Sequence, residues 1–333
     1  MLDVLTWHVH GSYLLSLAHT PVRWILPVMP DRFGCGGRTP GFPWPANVVE
    51  IPLAEVAHRS FDVVVYQHRE HYETDRWEVL GERQRRVPAV FIEHDPPREV
   101  PTDTVHPVDD GQTLVVHVTH FNQLMWDTRN PSTVIEHGVA VPRRRGSLAR
   151  AAGITVINNL PQRGRRLGLD VYEKARQQLP LELIGMDAER LGGREVPPAD
   201  VVPLVGEHRF LFSPIRYTSL GLGILEAMAA GVPVVGLATT ELAAVVDDGK
   251  HGFVDTDVDA VIAAGARLLR DHALARRLGG NARSLVRRRF GVDRFARDWH
   301  RVLDERAALG AARPAAPRRD PSAGRRLRTG PLG

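Results

Sequence analysis

The sequence predicts two α/β domains of similar size that face each other across a cleft, with helices at the C-terminal end. Three observations lead to this prediction. The 333 residues are enough for two domains of ordinary size. Short β-branched runs alternate with amphipathic helical segments, as in parallel sheets covered by helices. Proline, glycine and an arginine run interrupt the alternation at residues 141–150, as expected of a linker.

The first domain is assigned to residues 1–142 and the linker to residues 143–152. The predicted strands of the first domain share a high content of valine and isoleucine. They cover residues 2–7, 22–29, 47–52, 61–67, 88–94, 113–120 and 132–139. Helices are predicted over residues 12–19 and 73–86. This order favours a mostly parallel sheet.

The second domain is assigned to residues 153–290. Strands are predicted over residues 153–159, 181–185, 209–214 and 232–237, and helices over 165–179 and 220–230. Three amphipathic helices follow between residues 257 and 309, and we expect the segment 291–310 to pack back toward the first domain. Ligands of open α/β sheets bind at the carboxyl ends of the strands, so loops of both domains should line the cleft.

Composition predicts a cytoplasmic globular protein. The chain is 43% hydrophobic and 25% charged, and no apolar run reaches the roughly 20 residues that a membrane span needs. The N-terminus lacks the pattern of a signal peptide. The single cysteine, Cys35, excludes an internal disulfide framework.

The basic character of the chain is concentrated in residues 311–333, which we predict to be a disordered tail. This segment holds six arginines and one aspartate, while the whole chain carries a net charge of +4. The rest of the chain is therefore close to neutral, which argues against a specific nucleic-acid interface. Contact of the tail with the inner face of an anionic membrane and a simple solvated extension both remain open.

Two histidines one residue apart follow the first predicted strand, in the stretch LTWHVHG. Side chains at such spacing share a face of a strand, so His8 and His10 could bind one metal ion together. Two ligands do not complete a catalytic site, and we favour no metal. In the preferred interpretation Gly11 allows close approach of a phosphate or acceptor group, Ser12 caps the following helix, and His10 faces the cleft.

The most informative stretch is SPIRYTSLGLGILEAMAAGVPVV, residues 213–235. A strand should end at Ser213 and a loop should span residues 218–221. A helix should run from about Leu220 to Ala230, and Gly231 should stop it. Free amides at the start of that helix suit the phosphates of a ligand. Glu226, in the second turn, could accept hydrogen bonds from sugar hydroxyls.

This stretch, with DDGKHGFV after it, resembles the donor-nucleotide region of the retaining GT-B glycosyltransferases, of the GT4 type. The resemblance implies two Rossmann-like domains. It also implies that Glu226 binds the ribose of a nucleotide and that Ser219, Leu220 and Gly221 contact the donor phosphates and sugar. Thr218 stands where the family has the first glutamate of its motif. Thr218 could bond to the sugar without supplying a charge, and Glu241 is a weak candidate to compensate.

The family also supplies cations at the start of the second domain to neutralise the diphosphate. The corresponding segment, INNLPQRGRRLG, has no lysine but contains Arg163, Arg165 and Arg166. We predict that Arg163 or Arg166 takes this role, since arginine binds phosphate through two parallel hydrogen bonds. In the first domain the resemblance implies a histidine near the transferred sugar, and His94 in FIEHDPP matches it.

The sequence therefore predicts a retaining, metal-independent hexosyltransferase. It would need no cofactor, because the nucleotide diphosphate sugar is a co-substrate, and its acceptor, whether glycan, lipid-linked or small molecule, is undetermined. Two alternatives remain: a non-catalytic binder of sugar nucleotides, suggested by Thr218, and a metal-dependent hydrolase using His8 and His10. A sugar-nucleotide epimerase would need a carboxylate and histidine set that the sequence does not reveal.

Overall fold

A computed structural model describes residues 1–311 of the chain. In this part of the chain the strands form two parallel sheets, one of seven and one of five strands. The first sheet contains β1 (Asp3–Thr6), β2 (Arg23–Val28), β3 (Val48–Pro52), β4 (Val63–Tyr66), β5 (Ala89–Glu93), β6 (Leu114–His117) and β7 (Ser132–Val134). The second contains β8 (Arg150–Val156), β9 (Leu181–Ile184), β10 (His208–Ser213), β11 (Val234–Leu237) and β12 (Gly252–Asp255).

Parallel pairing requires crossover connections, and many of them contain a helix. The helices of the first domain are α1 (Gly11–Leu17), α2 (Arg76–Glu78) and α3 (His120–Met125). Those that follow are α4 (Leu160–Arg163), α5 (Leu169–Arg176), α6 (Pro198–Glu207), α7 (Leu222–Ala230), α8 (Leu242–Val245), α9 (Val258–Arg270), α10 (His272–Arg289) and α11 (Val292–Ala311). None of the helices within residues 1–311 is long and apolar enough to cross a membrane.

The strand order places one switch point in each sheet. The orders are β3-β2-β1-β4-β5-β6-β7 and β12-β11-β10-β8-β9, so the direction of winding reverses at β1/β4 and at β8/β10. Crevices for ligands open at such points, beyond the carboxyl ends of the strands. The predicted site segments follow these strands: residues 8–12 come after β1, 157–166 after β8, and 214–221 after β10.

The last helix returns to the first domain. Phe295, Trp299 and Leu303 of α11 are fully buried in one hydrophobic core with Tyr13 and Leu14 of α1. Where the chain passes between the domains, the amide of Val139 donates to the carbonyl of Phe290 over 2.9 Å, and the amide of Val292 donates to the carbonyl of Val139 over 3.1 Å. The two crossing segments are therefore hydrogen-bonded to each other.

Several predicted boundaries require correction. The helix predicted over 73–86 is instead a π-helical turn at His71–Asp75, the short α2 and a 3-10 turn at Gln84–Arg86. Gly81 and Glu82, which lie between α2 and the 3-10 turn, are not helical. Strand β8 begins at Arg150, inside the predicted linker. Helix α11 extends to Ala311, the first residue assigned to the basic tail. The rest of that tail, with its suggested membrane contact, lies outside the described residues.

Candidate active site

The loop between β10 and α7 forms a small pocket at the switch point of the second sheet. Its lining includes Ser213, Thr218, Ser219, Leu220 and Thr239. Helix α7 begins at Leu222, two residues later than predicted, and its N-cap, Gly221, provides no side-chain hydrogen bond. The buried hydroxyls of Ser213 and Ser219 have no hydrogen-bond partner among the described residues. Free donors therefore converge on this pocket, as binding of an anion requires.

Glu226 lies in the second turn of α7, as predicted, and is partly buried. Burial raises the pKa of its carboxyl above the ordinary value. No described side chain or amide donates a hydrogen bond to this carboxylate, although a buried polar group normally has such a partner. This arrangement suits a carboxylate that accepts hydrogen bonds from a ligand.

The three arginines of the β8–α5 connection have different surroundings. Arg165 pairs with Asp170 at 2.6 Å. The guanidinium groups of Arg163 and Arg166 make no hydrogen bond or ion pair with any described residue. Burial lowers the pKa of Arg166, and the nearby charges of Arg98 and Arg163 lower it further. The charge of Asp95 opposes these effects, but it forms no ion pair with Arg163 or Arg166, so both guanidinium groups remain able to bind an anion.

The arginine segment is fixed to the donor loop by its backbone. The carbonyl of Arg166 accepts hydrogen bonds of 3.1 Å from the amides of Arg216 and Tyr217. Gly168 makes the approach possible: its φ is +82°, and a Cβ atom there would lie 1.9 Å from the carbonyl oxygen of Pro214. Only glycine avoids both the strain and the overlap.

Gly168→Ala is therefore expected to destabilise the protein by more than the roughly 1–3 kcal/mol that a left-handed backbone costs a non-glycine residue. Gly192→Ala is the matched control, because Gly192 has the same left-handed backbone, with a φ of +77°, but a Cβ there would meet only the guanidinium of Arg176, at an ordinary contact distance of 3.8 Å. Urea denaturation of both variants measures the difference. Equal losses of stability would show that the approach to Pro214 is unimportant.

The predicted residues of the first domain meet at the ends of β1 and β5. The rings of His10 and His94 lie 4.4 Å apart between centroids, and Tyr13 lies 4.7 Å from His94. Burial holds the pKa of His94 well below its ordinary value, so its imidazole is neutral at physiological pH. His10 keeps an exposed edge in the cleft, yet loss of hydration on its other sides lowers its pKa as well.

Helix α1 begins differently from the prediction. His10 occupies the N-cap position, Gly11 is the first helical residue, and no side chain caps the helix. Ser12 is therefore inside the first turn and does not cap it, which corrects the prediction. Gly11 is instead a packing position, because a Cβ there would lie 3.3 Å from both His8 and Phe42.

His8 holds the loop that follows β2. Its Nδ1 lies in hydrogen-bond contact with the carbonyl of Gly37, and its Nε2 lies 3.2 Å from the hydroxyl of Thr39. Both ring nitrogens of His8 are thus engaged in contacts within the protein. His8 is therefore not free to act as a ligand in the metal-dependent hydrolase considered as an alternative. Within residues 1–311 no group of three or more potential ligands forms a metal site.

Comparisons with known proteins agree with the two-domain fold. Residues 169–271 match the family model described as glycosyl transferases group 1. Sucrose-phosphate synthase from Thermosynechococcus elongatus superposes with a TM-score of 0.69 at 17% identity, over 93% of this chain and 100% of that chain. Anabaena HepE in complex with UDP-glucose gives a TM-score of 0.68 at 15% identity, over 92% of this chain and 100% of that chain.

A TarM mutant from S. aureus, in complex with Fondaparinux, alpha-GlcNAc-glycerol and UDP, gives a TM-score of 0.55 at 13% identity, over 73% of this chain and 55% of that chain. No curated protein sequence matches the chain. The superpositions show that the chain has the GT-B fold. The family model adds that residues 169–271 resemble the glycosyl transferases of group 1.

Sequence reasoning missed the contacts across the cleft between the two domains. The hydroxyl of Tyr217 donates to the carbonyl of Pro97 over 2.8 Å. The hydroxyl of Thr218 lies 3.4 Å from a carboxylate oxygen of Asp95. A charged residue between a strand end and two prolines, as in HDPP, is the only sequence signal that could have singled out Asp95.

Glu241 serves a different purpose from the one suggested for it. Its carboxylate is buried and accepts a hydrogen bond of 2.8 Å from the amide of Phe121, in the first turn of α3. Arg289 approaches the same carboxylate at 4.0 Å. Glu241 therefore joins the two domains, whereas Thr218 faces Asp95.

Proposed function

We propose that this glycosyltransferase transfers a hexose from a nucleotide diphosphate sugar to an acceptor hydroxyl, with retention of anomeric configuration and without a metal ion. The observation that carries the proposal is the partly buried carboxylate of Glu226, to which no described residue donates a hydrogen bond. It lies in the helix that begins at the pocket of unpartnered hydroxyls. Such a group is expected to accept hydrogen bonds from the ribose of the nucleotide.

The diphosphate would be neutralised by Arg163 and Arg166 together with the free amides of α7. These cations and dipoles are in place before the reaction, so they stabilise the departing diphosphate without reorganisation. Ser219, Leu220 and Gly221 would contact the donor phosphates and sugar through their amides and the Ser219 hydroxyl. His10, Gly11 and Ser12 would lie on the acceptor side of the cleft.

In the proposed reaction the bond between the anomeric carbon and the diphosphate oxygen breaks, and the electron pair leaves with the diphosphate. The acceptor oxygen bonds to the same face of the sugar, and its proton passes to the departing diphosphate. His94, being neutral, would hold a sugar hydroxyl by a hydrogen bond. No protein base is required by this scheme.

Two of the similar structures indicate which ligands should be tested first. HepE was solved in complex with UDP-glucose, and the TarM mutant with UDP, alpha-GlcNAc-glycerol and Fondaparinux. By analogy we propose a UDP-sugar as donor and a glycan as acceptor. A cytoplasmic location, lipid-linked acceptors and small-molecule acceptors remain predictions from the sequence.

Thermal unfolding with a panel of UDP-, GDP- and ADP-sugars tests the proposal. A ligand at a hundred times its dissociation constant stabilises the folded state by roughly 2.7 kcal/mol. We expect one nucleotide series to raise the melting temperature and the other two to have little effect. If no sugar nucleotide raises the melting temperature at such an excess, the proposed function is wrong.

A non-catalytic binder of sugar nucleotides is the second candidate, because Thr218 supplies no charge at the donor loop. This candidate predicts a thermal shift without release of free nucleotide. The proposed enzyme predicts both, since transfer of the sugar to an acceptor hydroxyl or to water releases the nucleotide. Measuring nucleotide release from the stabilising donor separates the two.

A further inference from the structure

The proposed donor site is rich in positive charge on the side of the leaving group. Arg163 and Arg166 form no ion pair with a described residue, and the charge of Arg98, in the facing domain, lowers the pKa of Arg166. The reaction also creates positive charge, on the sugar, and Glu226 is assigned to the ribose. A further carboxylate near the sugar would stabilise that charge.

We propose that Asp95 supplies this carboxylate from the facing domain. The inference rests on the proposed function. It places the negative charge that stabilises the sugar in the first domain, on the side of the cleft opposite the donor loop. Asp95 Oδ1 lies 3.4 Å from the hydroxyl of Thr218. This distance is long for a hydroxyl–carboxylate hydrogen bond. The oxygen is therefore weakly engaged and remains able to bind another donor.

The backbone of Asp95 is held from both sides. Its amide donates to Oε1 of Glu93 over 2.9 Å, and its carbonyl accepts from the indole of Trp126 over 2.8 Å. Pro96 and Pro97 follow, and both are buried. Proline fixes its own φ and restricts the residue before it, so this strand-end loop presents the carboxylate in one position.

A second layer of contacts holds Glu93 in turn. His106 is fully buried, and its Nδ1 accepts a hydrogen bond of 3.1 Å from the amide of Val108. Its Nε2 must then carry the proton, which it donates to Oε2 of Glu93 over 3.1 Å. Support of this kind is typical of side chains whose position matters for function.

The charge of Asp95 reaches both walls of the cleft. It acts to raise the pKa of His10 in the first domain and that of Arg166 in the second, in each case against the larger effect of burial. Its Oδ2 pairs with Arg98. The carboxylate therefore lies among the groups assigned to the sugar and the diphosphate.

A structural role is the competing explanation, because Asp95 also joins Arg98 and Thr218. Asp95→Asn separates the two, since the amide keeps the shape and an oxygen that can accept from Thr218 but loses the charge. The double variant Asp95→Asn with Thr218→Glu returns a carboxylate from the opposite side. Glu99→Gln is the matched control, because Glu99 is an exposed carboxylate of the same loop.

The experiment measures release of UDP from UDP-glucose, or from whichever panel donor stabilises the protein, and binding of UDP by calorimetry. We expect Asp95→Asn to lower kcat by about 10²-fold, with the Kd for UDP changed by less than about twofold. The double variant should recover at least about tenfold of the loss, and Glu99→Gln should match the wild type.

Three results would overturn the inference alone: a kcat of Asp95→Asn close to that of the wild type, an equal weakening of UDP binding, or no recovery in the double variant. If the Asp95→Asn variant does not fold, the Asp95→Ser variant, which removes the same charge, is used in its place. Wild-type protein that neither binds UDP nor releases a nucleotide from any donor would instead remove the proposed function, and the role of Asp95 with it.

Discussion

Arg166→Ala is expected to lower the rate of nucleotide release from the donor by about 10²- to 10³-fold, the usual effect of removing one group that stabilises developing negative charge. Arg166 is partly buried and forms no ion pair with a described residue, and burial and the charges of Arg98 and Arg163 lower its pKa against the opposing charge of Asp95. A diphosphate would relieve this repulsion, and most strongly as its charge increases on leaving. The loss should appear in kcat more than in KM.

The chain offers a close control for this prediction. Arg165 is the neighbour of Arg166 in sequence, but its guanidinium pairs with Asp170 at 2.6 Å. Arg165→Ala should therefore leave kcat within a few-fold of the wild type. Similar losses in the two variants would indicate that the arginine cluster acts only through its total charge, and the assignment of Arg166 to the diphosphate would be wrong.

Glu226→Gln is expected to weaken UDP binding about 10- to 100-fold, because a hydrogen bond to a charged group contributes about 1.5–3 kcal/mol. Isothermal titration measures the change. Glu173→Gln, which alters an exposed carboxylate on α5, is the control and should bind UDP like the wild type. Unchanged affinity in Glu226→Gln would exclude the ribose contact.

The pH dependence of binding offers a second check on Glu226. Burial raises the pKa of this carboxyl, and only the ionised form accepts hydrogen bonds on both oxygens. UDP affinity should therefore fall as the pH decreases through a pKa above the ordinary range of glutamate. The Glu226→Gln variant should lack this step, although other titrating groups will still contribute to its profile.

Local patterns predicted most of the fold. Runs such as VVVY and VFIE are β-branched or aromatic and short, so they form strands wherever they are buried. Strand β12 and helices α3, α4, α6 and α8 were missed, because they are short or because proline lies in their first turn. The helix predicted over 73–86 failed because packing of His71 between Trp7 and Phe33 fixes a π-helical turn there, which local sequence cannot indicate.

The sequence by itself determined the order of strands and helices, the loops that follow each strand, and the positions of Glu226 and of the three arginines. These depend on nearest neighbours along the chain. Only the tertiary structure decided that Arg165 is neutralised while Arg163 and Arg166 are not, that His8 fixes a loop, and that Asp95 faces Thr218. The burial, pairing and charge of these residues depend on contacts between segments that are up to 123 positions apart in the chain. Their spacing in the sequence does not indicate how close they lie in space.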